Sequence, residues 1–472
     1  MTDSRTPTSE TPILPPADAA PSPTPPQKPA TTLSPEYRWL TVGMFALIFI
    51  AAFESLAVTT IMPVVARELD GQPLFALAFA VPLAAGIVGM VVAGNWADRS
   101  GPMRPLVAAG IVFLVGLVIV GFAPDMVALV LGRFVHGIGG AAVIVPLYVI
   151  VGRVYPPELR ARVFAGFAAA WVIPSIVGTA IAGFVAESVG WRWVFLGVIF
   201  LVLPAGAMMA MPLRRARDAV AGDPNVPWSL GRLGWAVLAA VAALGVSLSK
   251  ELDEPWRWIV AGAGVAVALV AVRPLLPPGT LRVRRGLPAA IFLRMLVAGA
   301  FFGSEVYLPY LFIEHYDFSP SLAGAVLTGA GLSWAFASWL QGRLGAKLSN
   351  TAAVRIGAAV MFAALVVVLA VAALGLPPAV GFAAWTIAGG GMGLMYPRFS
   401  VTVLELSPRS AQGFNSAALS IAESLGAAVA IAVTALAASV AIGDAFTAEF
   451  AVTVVIAAVA VVLAPRMRPA AA

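Results

Sequence analysis

The chain has 472 residues, of which 60% are hydrophobic and only 11% are charged, and its formal net charge is +6 at pH 7. Its mean hydropathy of +0.94 lies far above that of water-soluble globular proteins, so lipid is the expected solvent for most of the chain. The sequence has no cysteine and two histidines, which excludes disulfides, thiolate metal ligands and a histidine-rich metal site.

Residues 1–36 are rich in Pro, Thr, Ser and Ala and offer too little apolar surface to form a core. We therefore expect a disordered cytoplasmic tail. This segment lacks the apolar core and cleavage site of a secretory signal. The first apolar run, from about Trp39 to Val64, is then interpreted as a retained signal anchor.

Apolar runs of roughly 18 to 25 residues recur along the chain, each long enough to cross about 30 Å of hydrocarbon as a helix. They are continuous and do not alternate with polar residues, which favours helical bundles over a β-barrel. A polar stretch with four arginines, residues 214–232, indicates a joint between two halves. The fourteen predicted spans are residues 39–64, 74–93, 105–123, 127–151, 163–186, 193–212, 233–249, 257–276, 288–312, 319–341, 352–374, 379–403, 412–440 and 445–465.

The charges of the connecting loops alternate. With the tail inside, every second connection contains arginine, whereas the others carry mostly Asp and Glu. Lys and Arg collect on the cytoplasmic side of membranes, so both termini are predicted to be cytoplasmic and no nucleic-acid partner is expected. Removing the weakest pair, 233–249 and 257–276, keeps this alternation. Charge alone therefore allows twelve or fourteen spans, and the length of these two runs and the acidic loop between them favour fourteen.

The segment that follows the second run reads GNWADRSGPMR, from Gly94 to Arg104. We interpret it as a tight turn that leaves the Asp98 carboxylate free to meet a helix N-terminus and Arg99 free to pair across the interface between halves. An ordinary basic loop would explain the arginines but not the glycine spacing. The segment resembles the loop signature of the major facilitator superfamily, which implies that Gly94, Asp98, Arg99, Gly101 and Arg104 form a conformational latch.

A second motif lies in the fourth run. It resembles the intramembrane arginine motif of the same superfamily, with His136 where a glutamine is usual; its residues are Gly132, Arg133, His136, Gly137, Gly139, Gly140 and Ala141. Arginine within a span costs a few kcal/mol and needs a partner or water. Glu54 is the predicted partner. The pair either couples proton movement or holds the first and fourth spans together as a static ion pair.

The fifth run contains Pro174, Gly178 and Gly183, followed by a Trp-Arg-Trp sequence at 191–193. It resembles the antiporter motif of the superfamily, in which small residues allow close helix contact and a proline bends the span. Thr179 replaces the proline and Ala182 replaces one glycine of that motif. The alternative interpretation is a general packing face of small residues.

Two further carboxylates lie within spans. A carboxylate in closed apolar surroundings holds a proton and releases it on hydration or on meeting a cation. Glu305 lies as far along the ninth run as Glu54 along the first, and Glu423 lies near the middle of the thirteenth. We predict proton coupling through them. The alternatives are that Glu305 extends to the outer water and that Glu423, which has no evident partner, makes a structural hydrogen bond.

Three other charged residues, Arg294, Arg398 and Glu405, fall near cytoplasmic span ends. We expect them to extend to the water or to hold a loop. Trp171, Phe302, Tyr307 and His136 are candidates for a substrate site in a central cavity, although packing explains most such aromatics.

The resemblance extends over residues 39–465, where a degraded copy of the loop signature follows the tenth run at 342–347. With fourteen spans, the chain is similar to the drug:proton antiporter family that inserts two helices between its halves. This implies an all-α polytopic membrane protein with six-helix bundles at 37–213 and 287–466, a joint and two inserted helices at 214–286, and a cytoplasmic tail at 467–472.

The resemblance implies a proton-coupled exporter of small lipophilic or cationic compounds that works by alternating access. Export of a particular lipid, siderophore or metabolite, or proton symport, are the alternatives. The chain has no phosphate-binding loop, so the proton gradient is the expected driver and no cofactor is expected. We expect a monomer in a bacterial inner membrane and neither an enzyme nor a sensor, because no polar catalytic cluster and no sizeable soluble segment is evident.

Overall fold

A computed structural model describes residues 31–71, 74–249, 252–439 and 444–469 of the chain. Over these ranges the backbone consists of α-helices, short 3-10 segments and turns, without a β-strand. Most of the predicted N-terminal tail, residues 1–30, and the last part of the predicted C-terminal tail, residues 470–472, lie outside the described residues. From Thr32 onward the chain forms one compact unit.

Within the described residues, fourteen α-helices follow one another, each within seven residues of a predicted span at both ends. They are α1 Arg38–Glu68, α2 Phe75–Ser100, α3 Met103–Gly121, α4 Met126–Val154, α5 Pro157–Val189, α6 Arg192–Arg215, α7 Leu230–Leu248, α8 Trp256–Ala271, α9 Leu287–Tyr316, α10 Pro320–Leu344, α11 Asn350–Leu374, α12 Pro378–Leu406, α13 Gln412–Ser439 and α14 Ala445–Leu463.

The C-terminal end of the second helix departs most from its predicted position. It continues past residue 93 to Ser100 and ends where Gly101 adopts a φ of 80°, a conformation that favours glycine. Gly94 is therefore inside the helix and not in the tight turn that the sequence predicts, and Asp98 lies on the last helical turn. A helix ends where its backbone hydrogen bonds can end, which need not be where its apolar residues end.

The two halves repeat the same packing. In the first half, α1 packs on α5 and α6, and α4 packs on α2 and α3. In the second half, α9 packs on α13 and α14, and α12 packs on α10 and α11. The matching pairs identify an internal repeat of a six-helix unit, an arrangement common in secondary transporters. Between the halves, α2 packs on α13 and α5 packs on α10 and α12.

The inserted helices lie outside both bundles. The α7 helix packs on α2 and on α8, whereas most side chains of α8 are exposed. Gly264 lets the two inserted helices approach closely, because a Cβ there would lie 2.7 Å from a methyl carbon of Val246. The pair is thus attached to the first half through α2.

Twelve helices contain a described stretch long and apolar enough to cross a membrane; α12 does not reach that hydropathy, and in α5 the described apolar stretch is Ala180–Val189. In α12 the run Gly389–Gly391 lowers the mean hydropathy. These glycines allow close packing instead: a Cβ on Gly389 would overlap the backbone of Ala330 in α10, and one on Gly391 would lie 2.7 Å from the carbonyl oxygen of Gly357 in α11. Fourteen spans therefore remain a prediction.

Close packing of α3 on α4 is open to a direct test. A Cβ on Gly116 would overlap the backbone of His136, whereas one on Gly110 in the same helix would meet nothing within 4 Å. We expect Gly116→Val to destabilise the protein by roughly 1–3 kcal/mol through overpacking, and Gly110→Val to change little. Thermal unfolding of the two purified variants measures this. Equal melting temperatures would contradict the described packing of α3 on α4.

Candidate functional site

A buried ion cluster joins α1 and α4. Glu54 and Arg133 form an ion pair with 2.7 Å between Oε1 and Nη1, and both side chains are almost fully buried. His136, one turn further along α4, has its Nε2 atom 3.1 Å from Oε2 of Glu54. The Nε atom of Arg133 donates a hydrogen bond to the carbonyl oxygen of Ala78. The predicted partnership between Glu54 and Arg133 is thus confirmed.

The local sequence explains how α4 presents these groups. Arg133 and His136 are three residues apart and therefore lie on one face of the helix. The Nδ1 atom of His136 is 3.4 Å from Nη1 of Arg133, and its ring packs 4.7 Å from that of Phe113 in α3. The imidazole therefore lies between the two charged groups, with Nδ1 beside Arg133 and Nε2 beside Glu54.

The cluster lies at one wall of a cavity of about 590 Å³ between the halves. Predicted site residues that line this cavity are Glu54, Arg133, His136, Trp171, Phe302 and Glu423. Its remaining wall is mostly apolar and aromatic, with contributions from α2, α5, α10 and α12. A cavity between two packed bundles is where a small molecule would have access to residues of both halves.

A second ion pair in the other half faces the same cavity. Arg294 of α9 donates hydrogen bonds from Nη2 (2.7 Å) and Nε (3.2 Å) to Oε2 of Glu423 in α13. The Tyr396 hydroxyl donates to the other carboxylate oxygen of Glu423. Glu423 therefore has a partner that the sequence did not indicate. The expectation that Arg294 extends to the water or holds a loop is wrong, because Arg294 is only 1% exposed and pairs with Glu423 inside the bundle.

Comparison of depth along the helices could have found this pair. Arg294 is the eighth residue of α9 and Glu423 the twelfth of α13, and both helices begin at the same side of the bundle. At 1.5 Å per residue, their Cα atoms differ in depth by only about 6 Å, which an arginine side chain spans.

Two predicted residues do not line the cavity. The Tyr307 hydroxyl lies between α9 and α13, 3.4 Å from the carbonyl oxygen of Ile431 and 3.3 Å from the Thr434 hydroxyl. Tyr307 is therefore a packing residue in this structure and not part of the predicted substrate site. Glu305 is half-buried in α9 and is absent from the cavity wall.

We call the end of the bundle that carries the α2–α3, α4–α5 and α6–α7 connections the arginine-rich face. There, Asp98 accepts hydrogen bonds from the backbone N–H groups of Gly413 (2.6 Å) and Phe414 (2.8 Å) in the first turn of α13. This is the contact with a helix N-terminus that the sequence suggests, and it joins the two halves. Gly94 and Gly413 allow it, because a Cβ on either would overlap the backbone of the other.

Arg99 does not cross the interface, contrary to expectation. It donates to the carbonyl oxygen of Val226 at 2.7 Å, and Arg104 is exposed. Arg153 at the end of α4 does cross, since it donates to the side chain of Gln412 at 3.2 Å and to the carbonyl oxygen of Arg409 at 2.7 Å. The sequence does not show on which side of its helix Arg99 or Arg153 lies.

The joint between the halves is folded onto this latch. We call residues 220–229 the joint strap. Backbone carbonyls of Val220 and Ala221 accept from Arg153 at 3.0 Å, and that of Pro227 accepts from Asn95 at 3.1 Å. The Asp223 N–H donates to the carbonyl oxygen of Asp98 at 2.9 Å. The strap therefore contacts the latch residues while they hold the other half.

The residues of the predicted antiporter motif differ in their packing. Gly178 is buried, and a Cβ there would lie 3.2 Å from the Phe53 ring of α1, so it permits close contact between α1 and α5. A Cβ on Gly183 would meet nothing within 4 Å. Pro174 lies inside the helix and is buried. A packing role is therefore evident for Gly178 and not for Gly183.

Arg398 and Glu405 lie beside the α10–α11 connection. Arg398 is buried and donates to the carbonyl oxygens of Gln341 (2.8 Å) and Gly345 (3.2 Å). Asn350 bridges the two, since it donates to Glu405 at 2.9 Å and accepts from Arg398 at 3.1 Å. Of the two expectations for these residues, holding a loop is the one that the geometry supports.

The Asp98 contact predicts how the arginine-rich face responds to a lost charge. Asp98→Asn weakens two charge-assisted hydrogen bonds, so we expect the open form of this face to gain roughly tenfold or more in population. Because the chain has no cysteine, spin labels on Glu158→Cys and Ser410→Cys report the distance across the face without background. Arg104→Ala is the control and should leave the distance distribution unchanged. An unchanged distribution in Asp98→Asn would contradict this role.

Known relatives match most of the chain. Residues 44–431 match the family model described as Major Facilitator Superfamily. Multidrug transporter protein MdtP of Bacillus subtilis (strain 168) is 22% identical over 82% of this chain and 72% of its own length. Multidrug resistance protein 3 of the same organism is 24% identical over 66% of this chain, and the matched region spans only 62% of that relative.

Solved structures share the fold at low sequence identity. The human organic anion transporter MFSD10 (TETRAN) has a TM-score of 0.70 at 13% identity and covers 91% of this chain and 100% of its own. The proton:xylose symporter XylE has a TM-score of 0.63 at 15% identity, with coverage of 91% and 95%. The chain belongs to the Major Facilitator Superfamily and is a membrane transporter, not an enzyme.

Proposed function

We propose that the protein is a proton-coupled secondary active transporter that exports small lipophilic or cationic compounds by alternating access. In this proposal it works as a monomer in the bacterial inner membrane, with fourteen spans and both termini in the cytoplasm. The proton gradient drives transport, and no cofactor takes part. The observation that carries the proposal is the buried cluster of Glu54, Arg133 and His136 at the wall of a cavity between the halves.

Such a cluster can couple protonation to helix packing. When Glu54 takes up a proton, the charge that neutralises Arg133 disappears. A guanidinium without a partner is costly in a low-dielectric interior, so Arg133 must then meet water or another acceptor. Because Glu54 belongs to α1 and Arg133 to α4, the proton changes the energy of the contact between these helices. His136 is placed to share the proton of Glu54.

The arginine-rich face is closed by the Asp98 contact, and the cavity lies between it and the opposite face. If arginine marks the cytoplasmic side, the described conformation is closed toward the cytoplasm, and we take it as the outward-facing form of the cycle. In the proposed cycle, release of Asp98 from the first turn of α13 opens the cavity to the cytoplasm, where a compound enters. Return to the outward-facing form then delivers it outside.

The nature of the compounds is proposed from two supports. The cavity wall is mostly apolar and aromatic, which favours ligands with large apolar surfaces. Two relatives are named multidrug proteins, at 22% and 24% identity. The identity is too low to transfer a substrate, so their names support the class of compound and not a particular one.

Proton flux in liposomes tests the proposal. With an imposed pH gradient, we expect a panel of lipophilic cations and neutral drugs to induce proton movement through the wild-type protein. Glu54→Gln should reduce it to the level of protein-free liposomes, because glutamine cannot release a proton. Glu187→Gln, which changes an exposed carboxylate in α5, is the matched control and should retain wild-type flux.

The outcomes separate the alternatives. Flux that survives in Glu54→Gln would assign coupling to Glu305 or Glu423 and contradict the role given to the Glu54 cluster. Flux with none of the compounds would contradict multidrug export and favour a dedicated lipid, siderophore or metabolite as substrate. Compound movement in the same direction as the proton would identify a symporter.

A further inference from the structure

The charged side chains that line the cavity cancel one another. They comprise two acids, Glu54 and Glu423, and two arginines, Arg133 and Arg294, besides His136. Each acid lies 2.7 Å from its own arginine. Apart from His136, the charges on the described wall of the cavity therefore sum to zero. An organic cation that enters therefore finds no unpaired carboxylate, although it loses its hydration shell.

The two pairs differ in what they present to the cavity. In the first pair both side chains are nearly fully buried, at 7% exposure for Arg133 and 5% for Glu54. In the second pair the Glu423 side chain is 26% exposed, whereas that of Arg294 is 2% exposed. Glu423 thus faces the cavity and Arg294 lies behind it. The charge that a bound compound would meet first is that of Glu423.

Arg294 is held in place as a fixed counter-charge. Its Nε and Nη2 atoms donate to Glu423, and its Nη1 atom donates to the carbonyl oxygen of Tyr396 at 3.1 Å. Its guanidinium also stacks over the Tyr396 ring, with 3.2 Å between Cζ and the ring centroid. These contacts on three sides leave the guanidinium no freedom to turn into the cavity, so its effect on a ligand passes through Glu423.

The surroundings of Glu423 would otherwise suit a cation. The Trp334 ring packs edge-on against Tyr396 at 4.9 Å, and Phe302 lies 6.4 Å from Trp334. All three aromatic residues line the cavity together with Glu423. An ionised carboxylate beside aromatic faces is the arrangement that binds organic ammonium groups. Arg294 alone among the lining residues neutralises this carboxylate.

We propose that Arg294 determines the charge selectivity of the cavity: by neutralising Glu423, it makes the site select uncharged lipophilic compounds over organic cations. This inference rests on the proposed function only for the identity of the cavity as the substrate site. It narrows the proposed substrates to the uncharged class and gives Arg294 a positioning role that acts through Glu423.

Equilibrium binding to the purified full chain tests the proposal without a proton gradient. The probes are two matched aromatic compounds, one uncharged and one bearing a quaternary ammonium group. We expect the wild type to bind the uncharged compound more tightly. Arg294→Gln should raise the affinity for the ammonium compound by roughly tenfold or more. The reason is that attraction between the ammonium group and an unpaired Glu423 carboxylate at contact distance corresponds to more than a tenfold change in affinity. Arg192→Gln, which removes an arginine paired with Glu68 outside the cavity, is the control and should change neither affinity.

A double variant that removes both charges of the pair separates the effect of charge from that of structural damage. In Arg294→Gln/Glu423→Gln both charges are absent, so the gain for the ammonium compound should disappear. A merely structural role of Arg294 would not produce this reversal.

Two results would overturn the inference. The first is a wild type that binds the ammonium compound as tightly as its uncharged match, a result that stands even if Arg294→Gln does not fold. The second is a folded Arg294→Gln whose affinity for the ammonium compound is unchanged. Since binding is measured without proton flux, a failure of proton coupling would overturn the proposed function and leave this inference intact.

Discussion

The pairing of charge away from water is the constraint on which the rest of this structure depends. Arg133 and Arg294 lie in membrane helices, and each reaches a carboxylate on a neighbouring helix at 2.7 Å. Without such a partner, an arginine at this depth would cost a few kcal/mol or more. Helix packing must therefore bring α1 to α4 and α9 to α13 at the correct height. Glycines such as Gly116, which lets α3 approach α4, contribute to that geometry.

The repeat of the six-helix unit does not extend to its polar groups. The same helix pairs pack in each half, yet one ion pair joins the first and fourth helices of its half and the other joins the first and fifth. A cavity between two halves of equal fold can thus have walls of unequal chemistry. One carboxylate is enclosed by its partners and the other is open to the cavity, so the two are suited to different tasks.

Much of the fold follows from hydropathy, because a chain in lipid has to satisfy its backbone within helices. The sequence was sufficient for the helix positions and for the Glu54–Arg133 pair, since Arg133 has few acids at its depth. The sequence was insufficient where a contact depends on which side of its helix a residue lies. Arg294 lies seven residues from the start of α9, close enough to the end to suggest that it extends to water, yet it points into the bundle. The same cause explains why Arg99 was expected to pair across the interface, whereas Arg153 does so.

The joint strap has a consequence for how this protein tolerates variation. Six of its contacts with α2 and α4 use backbone atoms of the strap, through Val220, Ala221, Asp223, Val226, Pro227 and Ser229. These backbone groups do not depend on the side chain, except that proline has no N–H, so the exposed side chains of the strap are free to change over evolutionary time. Gly222 is the exception, because a Cβ there would overlap the carbonyl carbon of Arg99. Relatives can therefore diverge widely in this segment and keep the same attachment, provided that its length and this glycine persist.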